Sequence, residues 1–308
     1  MSKEQAVAFL DLLAFSNHVR ENTQDAFMAF TTYRTILETK ITDDLVHPPA
    51  SYSNAILQDI ATRSSVNSFN HFLPFSDSVF ISSDDPNLFL KQLGSFILHC
   101  FTFTSRQYQN PEDPSNPTKV IHKFKDNTIL EQNWYPTLFR GGIALGEAIP
   151  IELMGIVKSK PQKIANLAGK AVVRAVGLES KIKGPRIVFE KDLYDKLDDS
   201  TKVYTAETEI KGLYELLWPA FLYIPTNGHS EINDFYKLFL PAVNLWKANN
   251  HSSVSEHYFK FVELVVTGTI KIFEAHGHKD VAIDKVIEML KSHGLEHKTT
   301  QLLKTYSR

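Results

Sequence analysis

The sequence predicts an α/β (α+β) fold: a mixed sheet with helices packed on it, close to a ferredoxin-like core, continued by a helical C-terminal extension. Two observations carry this. Up to about residue 190, short apolar runs alternate with long stretches of helical periodicity in the order β, α, ββ, α, β, α, β. From about residue 207 the periodic stretches follow one another without a strand between them. With 308 residues, 43% of them hydrophobic, the chain can bury one large core or two smaller ones, and it divides into a sheet domain, 1–205, and an extension, 206–308.

Residues 5–13 read as a buried strand, because Val7, Phe9, Leu10, Leu12 and Leu13 form a run too short for a helix, with Asp11 inside it. After a turn at Ser16-Asn17, residues 23–40 place Phe27, Phe30, Tyr33, Ile36 and Leu37 at helical spacing. Residues 42–64, with Pro48-Pro49, form a connection containing a short helix around Ile56 to Thr62. Two short strands follow within 66–82 about a turn from Pro74 to Asp77. Asp84 or Asp85 caps the next helix, which has Pro86 in its first turn and Leu90, Leu93, Ile97, Cys100 and Phe101 along one face. The polar segment RQYQNPEDPSNPTK is an exposed loop, and 138–146 is again a strand. A Lys-rich loop at 158–163 leads to a helix over about 164–183, then to a strand from Pro185 to Phe189. Beyond 207 the helices are Leu213–Trp218, Phe235–Trp246, His257–Phe273 and Val281–His293.

Composition excludes several classes. The 33 basic and 35 acidic side chains leave no net field to attract nucleic acid or an anionic membrane. A single cysteine, Cys100, rules out an intrachain disulfide and a multi-cysteine zinc site and fits a reducing compartment. No apolar run is long enough for a membrane span, and the first residues do not form a signal peptide, so a cytoplasmic protein is expected. Scattered histidines, among them His276, His278, His251, His257, His293 and His297, lack metal-ligand spacing, and no P-loop or nucleophile elbow occurs. Lys158, Lys160 and Lys163 read as a solvated loop, and Trp218 and Trp246 as helix core.

Two carboxylates stand out. An ionised Asp in an apolar strand needs a partner, and Asp11 is either bonded to backbone N–H groups or bound to metal. Asp77 is either turn chemistry or a second ligand. If the first strand lies beside the hairpin, both converge at one edge of the sheet, where two hard oxygen ligands plus substrate phosphates would suit Mg²⁺ or Mn²⁺.

Phe9-Leu10-Asp11-Leu12-Leu13-Ala14-Phe15-Ser16 resembles the first metal-binding strand of the class III nucleotide cyclases, and Phe75-Ser76-Asp77-Ser78-Val79 resembles their second metal motif. Arg140-Gly141-Gly142-Ile143-Ala144-Leu145-Gly146 is similar to their triphosphate-contacting strand, and Gly169-Lys170-Ala171 through Leu178-Glu179 with Pro185-Arg186-Ile187 to the helix and strand after it. The four motifs span about residues 5–190 in the family's order. Two departures accompany them: Leu73 stands where purine cyclases carry a base-selecting Lys, and Val173 and Gly177 stand where they carry the transition-state Asn and Arg. With these departures the chain most resembles the pyrimidine cyclases of bacterial anti-phage (Pycsar) systems.

The resemblance implies a metal-dependent enzyme that converts UTP or CTP to the 3′,5′-cyclic monophosphate and pyrophosphate, as a messenger for a separate effector. It implies two Mg²⁺ or Mn²⁺ ions per site at Asp11, Leu12 and Asp77. Substrate positions would be Leu12, Ala14, Phe15, Ser16, Leu73 and Arg140, and catalytic positions Asp11, Asp77 and Arg174, the last replacing the missing cation unless it is a structural Arg. One catalytic domain per chain implies a homodimer with shared sites. A degenerate cyclase homologue that binds nucleotide or regulates a partner, a purine cyclase and an unrelated α/β protein are the rival readings.

Overall fold

The computed structural model describes residues 4–15, 19–20, 23–46, 51–105, 108, 119–123, 129–133, 135–157, 159–223 and 231–304. Eleven strands and seven helices of eight or more residues are described: β1 (Glu4–Leu12), α1 (Thr23–Val46), α2 (Ala55–Ser64), β2 (His71–Phe75), β3 (Ser78–Ser83), α3 (Pro86–Thr104), β4 (Lys119–Lys123), β5 (Ile129–Asn133), β6 (Phe139–Glu147), β7 (Ile149–Val157), β8 (Lys160–Ala168), α4 (Lys170–Glu179), β9 (Ile187–Glu190), β10 (Thr205–Glu207), β11 (Leu213–Leu216), α5 (Tyr236–Ala248), α6 (Ser255–Ala275) and α7 (Lys279–Ser292). The fold is mixed α/β, with a seven-stranded sheet in the order β10-β11-β9-β6-β1-β3-β2.

The run β6-β1-β3-β2 is antiparallel throughout, β1 pairing with β3 on one side and β6 on the other. Taken with α1 and α3, it is the βαββαβ arrangement of a ferredoxin-like core. β9 adds parallel to β6, and β11 and β10 continue antiparallel from β9.

Strand alternation explains why β1 is apolar nearly throughout: both of its faces are covered. Ala6, Ala8 and Leu10 enter the main core with Val79, Ile81, Ile143 and Phe189, under Tyr33 and Ile36 of α1 and Phe89, Leu93 and Phe96 of α3. On the opposite face Val7 packs with Ala148, Leu167 and Ala171, and Ala144 with Ala175, Leu178 and Val188, beneath α4. The main core continues through Trp218, Phe261 and Phe273 to Leu303, so the sheet and the helices beyond residue 206 share it.

Asp85 caps α3, its side chain accepting from the N–H groups of Asn87 and Leu88, with Pro86 at the first helical position. Elsewhere the elements depart from the sequence pattern. α1 runs on to Val46, past the end expected near residue 40. Residues 160–168, read as a Lys-rich loop and the start of a helix, form β8, which pairs with β7 in a long hairpin, and α4 occupies only 170–179. The hairpin turn holds Ser159 in a left-handed conformation (φ 61°) with no Gly or Asn to announce it. Leu213 to Leu216, spaced like a helix, is strand β11, because its neighbour β9 offers an open edge. The β4–β5 hairpin was not legible in the sequence either. The polar loop expected at 106–119 and the Ser16-Asn17 turn lie largely outside the described residues, and Lys119 at the end of that segment opens β4.

α4 approaches the sheet closely at Gly142, where an added Cβ would meet the Ala175 carbonyl oxygen at 2.3 Å and Leu178 Cβ at 2.4 Å. Gly142→Ala is expected to lift α4 and lower stability by about 1–3 kcal/mol, the range for overpacking. Urea unfolding monitored by far-UV circular dichroism checks this, and an unchanged midpoint would contradict it.

Candidate functional site

The site is assembled by strand register. Asp11 sits near the end of β1, opposite Ser78 on β3 and Arg140 on β6, and Ser78 in turn faces Phe75 on β2. Phe75, Ser78, Asp11 and Arg140 therefore form one row across the sheet, on the face that carries α4. The next row on that face is Leu73, Phe80, Phe9 and Gly142, with the Phe9 and Phe80 rings 5.0 Å apart.

A two-residue turn, Ser76-Asp77, joins β2 to β3, with Ser76 left-handed at φ 55°. The Leu12 N–H donates to the Asp77 carbonyl oxygen at 3.0 Å, which ties this turn to the end of β1. The two aspartates expected to work together are thus brought side by side. Ser78 Oγ donates to Asp11 Oδ1 at 2.8 Å, and Arg140 Nε and Nη2 donate to Asp11 Oδ2, each at 3.2 Å. Arg140 Nε also forms an ion pair with Glu179 Oε1 at the end of α4.

The group is partly sheltered, the side chains of Asp11, Glu179 and Arg140 being 18%, 13% and 32% exposed. Burial pushes the Asp11 carboxyl above its ordinary pKa; Ser78 and Arg140 pull it back and the Asp77 charge pushes it up. Burial likewise raises Glu179, with Arg140 opposing and Asp11 adding to the rise. Beneath the site the Tyr33 hydroxyl donates to the Ser78 carbonyl oxygen at 3.1 Å. Its phenol is driven well above its ordinary pKa by burial, with Asp77 and Asp11 adding to the shift.

The other expected residues divide. Leu12 is buried opposite Phe139, so only its main chain can serve the site. Ala14 follows in a left-handed conformation, φ 66°, rare for a residue with a Cβ, and Phe15 packs toward Phe30 at 6.1 Å. Ser16 lies outside the described residues, as does Lys158. Leu73 is half-buried on the edge strand, on the same face as Asp11.

Arg174 is not brought to Asp11 within the chain. It binds the Leu145 carbonyl oxygen at 2.7 Å and Glu190 and Asp192 at 2.6 Å each. Leu145 is five residues along β6 from Arg140, about 16 Å at the rise of a strand. Val173 and Gly177 face outward on α4, Val173 73% exposed and Gly177 beside open space.

Glu179 is the residue that sequence reasoning placed in a motif without giving it a role. A signal was present: a carboxylate at a helix C-terminus opposes the helix dipole and needs a cation nearby. Two of the histidines are engaged elsewhere: His257 Nδ1 accepts from the Gly184 N–H at 3.1 Å, and His276 Nδ1 lies 2.8 Å from the Ile272 carbonyl oxygen. Lys163 pairs with Glu152 on the hairpin. A cavity of about 870 Å³ opens elsewhere, between β10–β11 and α6, lined by Arg186, Glu209, Glu215 and Lys260 among others and by none of the residues around Asp11.

Among the described residues no group of three or more His, Cys, Asp and Glu side chains is arranged to hold a metal. Asp11 and Asp77 supply hard oxygen donors side by side, which fits Mg²⁺ or Mn²⁺ if phosphate oxygens and water complete the shell. No helix among the described residues is long and apolar enough to cross a membrane.

No family model matches the chain, and no curated protein matches it. Solved structures similar to it include the guanylyl cyclase Cya2, at 13% identity and a TM-score of 0.43 over 74% of this chain and 98% of that one. They also include the adenylyl cyclase CyaB from P. aeruginosa (13% identity, TM-score 0.39, 70% and 94% covered). A third is the guanylate cyclase domain of RhGC from Catenaria anguillulae in complex with GTP (15% identity, TM-score 0.38, 70% and 96% covered). At these scores the chemistry rests on this chain's own residues.

Proposed function

We propose that this chain is a metal-dependent nucleotide cyclase of the class III type, with residues 1–205 as its catalytic region. The observation that carries the reading is the row Ser78–Asp11–Arg140 at one end of the sheet, with the turn that carries Asp77 tied to the end of β1 beside it. Asp11 and Asp77 would hold divalent ions, and the Arg140 guanidinium would take the triphosphate. When bound, the ions would lower the pKa of the ribose 3′-hydroxyl and neutralise the departing pyrophosphate. The left-handed turn at Ala14 would direct the main-chain N–H groups of Ala14 and Phe15 toward phosphate oxygens. Positioning and electrostatics would then supply most of the acceleration.

A homodimer is part of the proposal. Exposed Val173 and Val176 on α4, with Leu153, Met154, Ile156 and Ile164 on the β7–β8 hairpin, are apolar surface for a second copy to cover. A cation such as Arg174 would have to act across that interface, after release from Glu190 and Asp192.

We assign the substrate to the pyrimidine triphosphates, UTP or CTP, and the cyclic product to signalling through a separate effector in anti-phage defence, in the cytoplasm. The effector role rests on the sequence resemblance; the base preference is supported by Leu73, apolar and in line with Phe80 and Phe9. A purine is discriminated by polar groups that meet its ring edge, and this row provides none. With all four ribonucleoside triphosphates at equal concentration and Mn²⁺ present, cyclic UMP or cyclic CMP is expected at least about tenfold faster than cyclic AMP or cyclic GMP, a ratio worth about 1.4 kcal/mol. Dominant purine products would overturn the base assignment, and absence of pyrophosphate with every substrate would overturn the enzyme. That second result would favour a nucleotide-binding regulatory homologue, a reading that Val173 and Gly177 on the outer face of α4 motivate.

A further inference from the structure

Arg140 is held by two carboxylates and well placed for neither. Its contacts to Asp11 Oδ2, 3.2 Å from both Nε and Nη2, are longer than the 2.7–2.9 Å usual for a charge-assisted hydrogen bond. Glu179 Oε1 lies against Arg140 Nε as an ion pair, yet it is buried and has no hydrogen bond of good geometry. The guanidinium is shared between the two acids.

We propose that Glu179 is a positioning residue that draws Arg140 away from Asp11, and so sets how readily Asp11 accepts a divalent cation. This rests on the reading of Asp11 as a metal ligand. A dication at Asp11 and the guanidinium are like charges competing for one carboxylate, so the guanidinium must withdraw as the ion enters. Glu179 is the anion that would receive it, keeping Arg140 in the site and available for the triphosphate. The burial of Glu179 makes the exchange effective, because a sheltered carboxylate attracts a cation more strongly than an exposed one. Among the described residues the carboxylates paired with Arg140 are Asp11 and Glu179, and His257, near Arg140, is kept toward its neutral form by burial and by the Arg140 and Lys183 charges.

The test is a Mn²⁺ titration without nucleotide, with free Mn²⁺ counted by electron paramagnetic resonance. Glu179→Gln is expected to weaken Mn²⁺ binding about tenfold, because Arg140 then closes on Asp11. Glu179→Asp, which keeps the charge, should recover most of the affinity. Arg140→Met should tighten binding, and in that background Glu179→Gln should have no further effect. Wild-type affinity in the Glu179→Gln protein would overturn the proposal while leaving the metal site standing. The same tenfold loss with Met at position 140 would also overturn it, since Glu179 would then be a direct ligand. If the wild-type protein takes up no Mn²⁺, the metal reading fails and this proposal fails with it.

Discussion

Asp11→Asn is expected to lower cyclase turnover at least a hundredfold, a loss of about 2.7 kcal/mol of transition-state stabilisation, without unfolding the protein. On the proposed reading the two consequences separate, because the ionised Asp11 carboxylate is costly to bury. Burial is the largest influence on its carboxyl and raises its pKa above the ordinary 3.8. A carboxyl whose pKa rises on folding favours the folded state fully below its ordinary pKa, and that contribution is lost as the pH climbs through the raised value. At neutral pH the ionised group is therefore a net burden, partly offset by Ser78 and Arg140. The Asn variant should melt at or above the wild-type temperature at pH 7, with the gap closing below about pH 4. Asp77→Asn should show a comparable loss of turnover. Full Mn²⁺-dependent turnover in Asp11→Asn would remove this residue from the metal site, and a collapsed melting temperature would make its role structural.

The largest effect on stability is expected at Arg186, whose carbonyl oxygen accepts from the Gly141 N–H at 3.0 Å and so joins β9 to the strand that carries Arg140. Its side chain, 6% exposed, donates to Glu215 at 2.6 and 3.1 Å and to Glu209 at 3.0 Å twice. Removing the cation leaves Glu215 buried and uncompensated, and breaking such a pair from one side typically costs about 3–5 kcal/mol. Arg186→Met should fall in that range at pH 7 by urea unfolding. Burial already pushes the Glu215 pKa up while Arg186 pulls it down, so without Arg186 the pKa rises further. Stability is then present at low pH and lost as pH climbs through that higher value, which makes the defect smaller at pH 5 than at pH 8. Adding Glu215→Leu should recover much of the loss. A defect that is independent of pH would mean that packing of the Arg186 stem, rather than its charge, holds β9 in place.

The strands of the ferredoxin-like core and the five helices of 13 or more residues were legible because burial enforces periodicity. β1 reads as a strand from residues 5–13 and α3 as a helix with its Asp85 cap, and both occur where their apolar patterns and cap chemistry put them. The β7–β8 hairpin was not legible, since both of its faces are largely exposed and it lacks the alternation that a core imposes. β11 departs from its helical spacing for the opposite reason: four apolar-rich residues fit either period, and only the free edge of β9 selects a strand.

The same division holds at the site. Asp11 and Asp77 could be singled out from the sequence, because a carboxylate in an apolar strand or at a hairpin tip is chemically conspicuous whatever surrounds it. That Arg140 stands directly opposite Asp11 is a matter of register, and that Glu179 competes for it depends on how closely α4 settles over Gly142. Arg174 shows the limit from the other side: its place on the helix was readable, but its binding to Glu190, Asp192 and the Leu145 carbonyl was not. What the sequence alone determined was the strand–helix alternation of the ferredoxin-like core and the choice of the two aspartates as candidates, since these depend on local pattern and on the cost of burying charge. Which cation meets which acid was decided by the tertiary structure alone, because those pairs join residues 129, 39 and 16 positions apart that only strand register and helix packing bring within hydrogen-bonding distance.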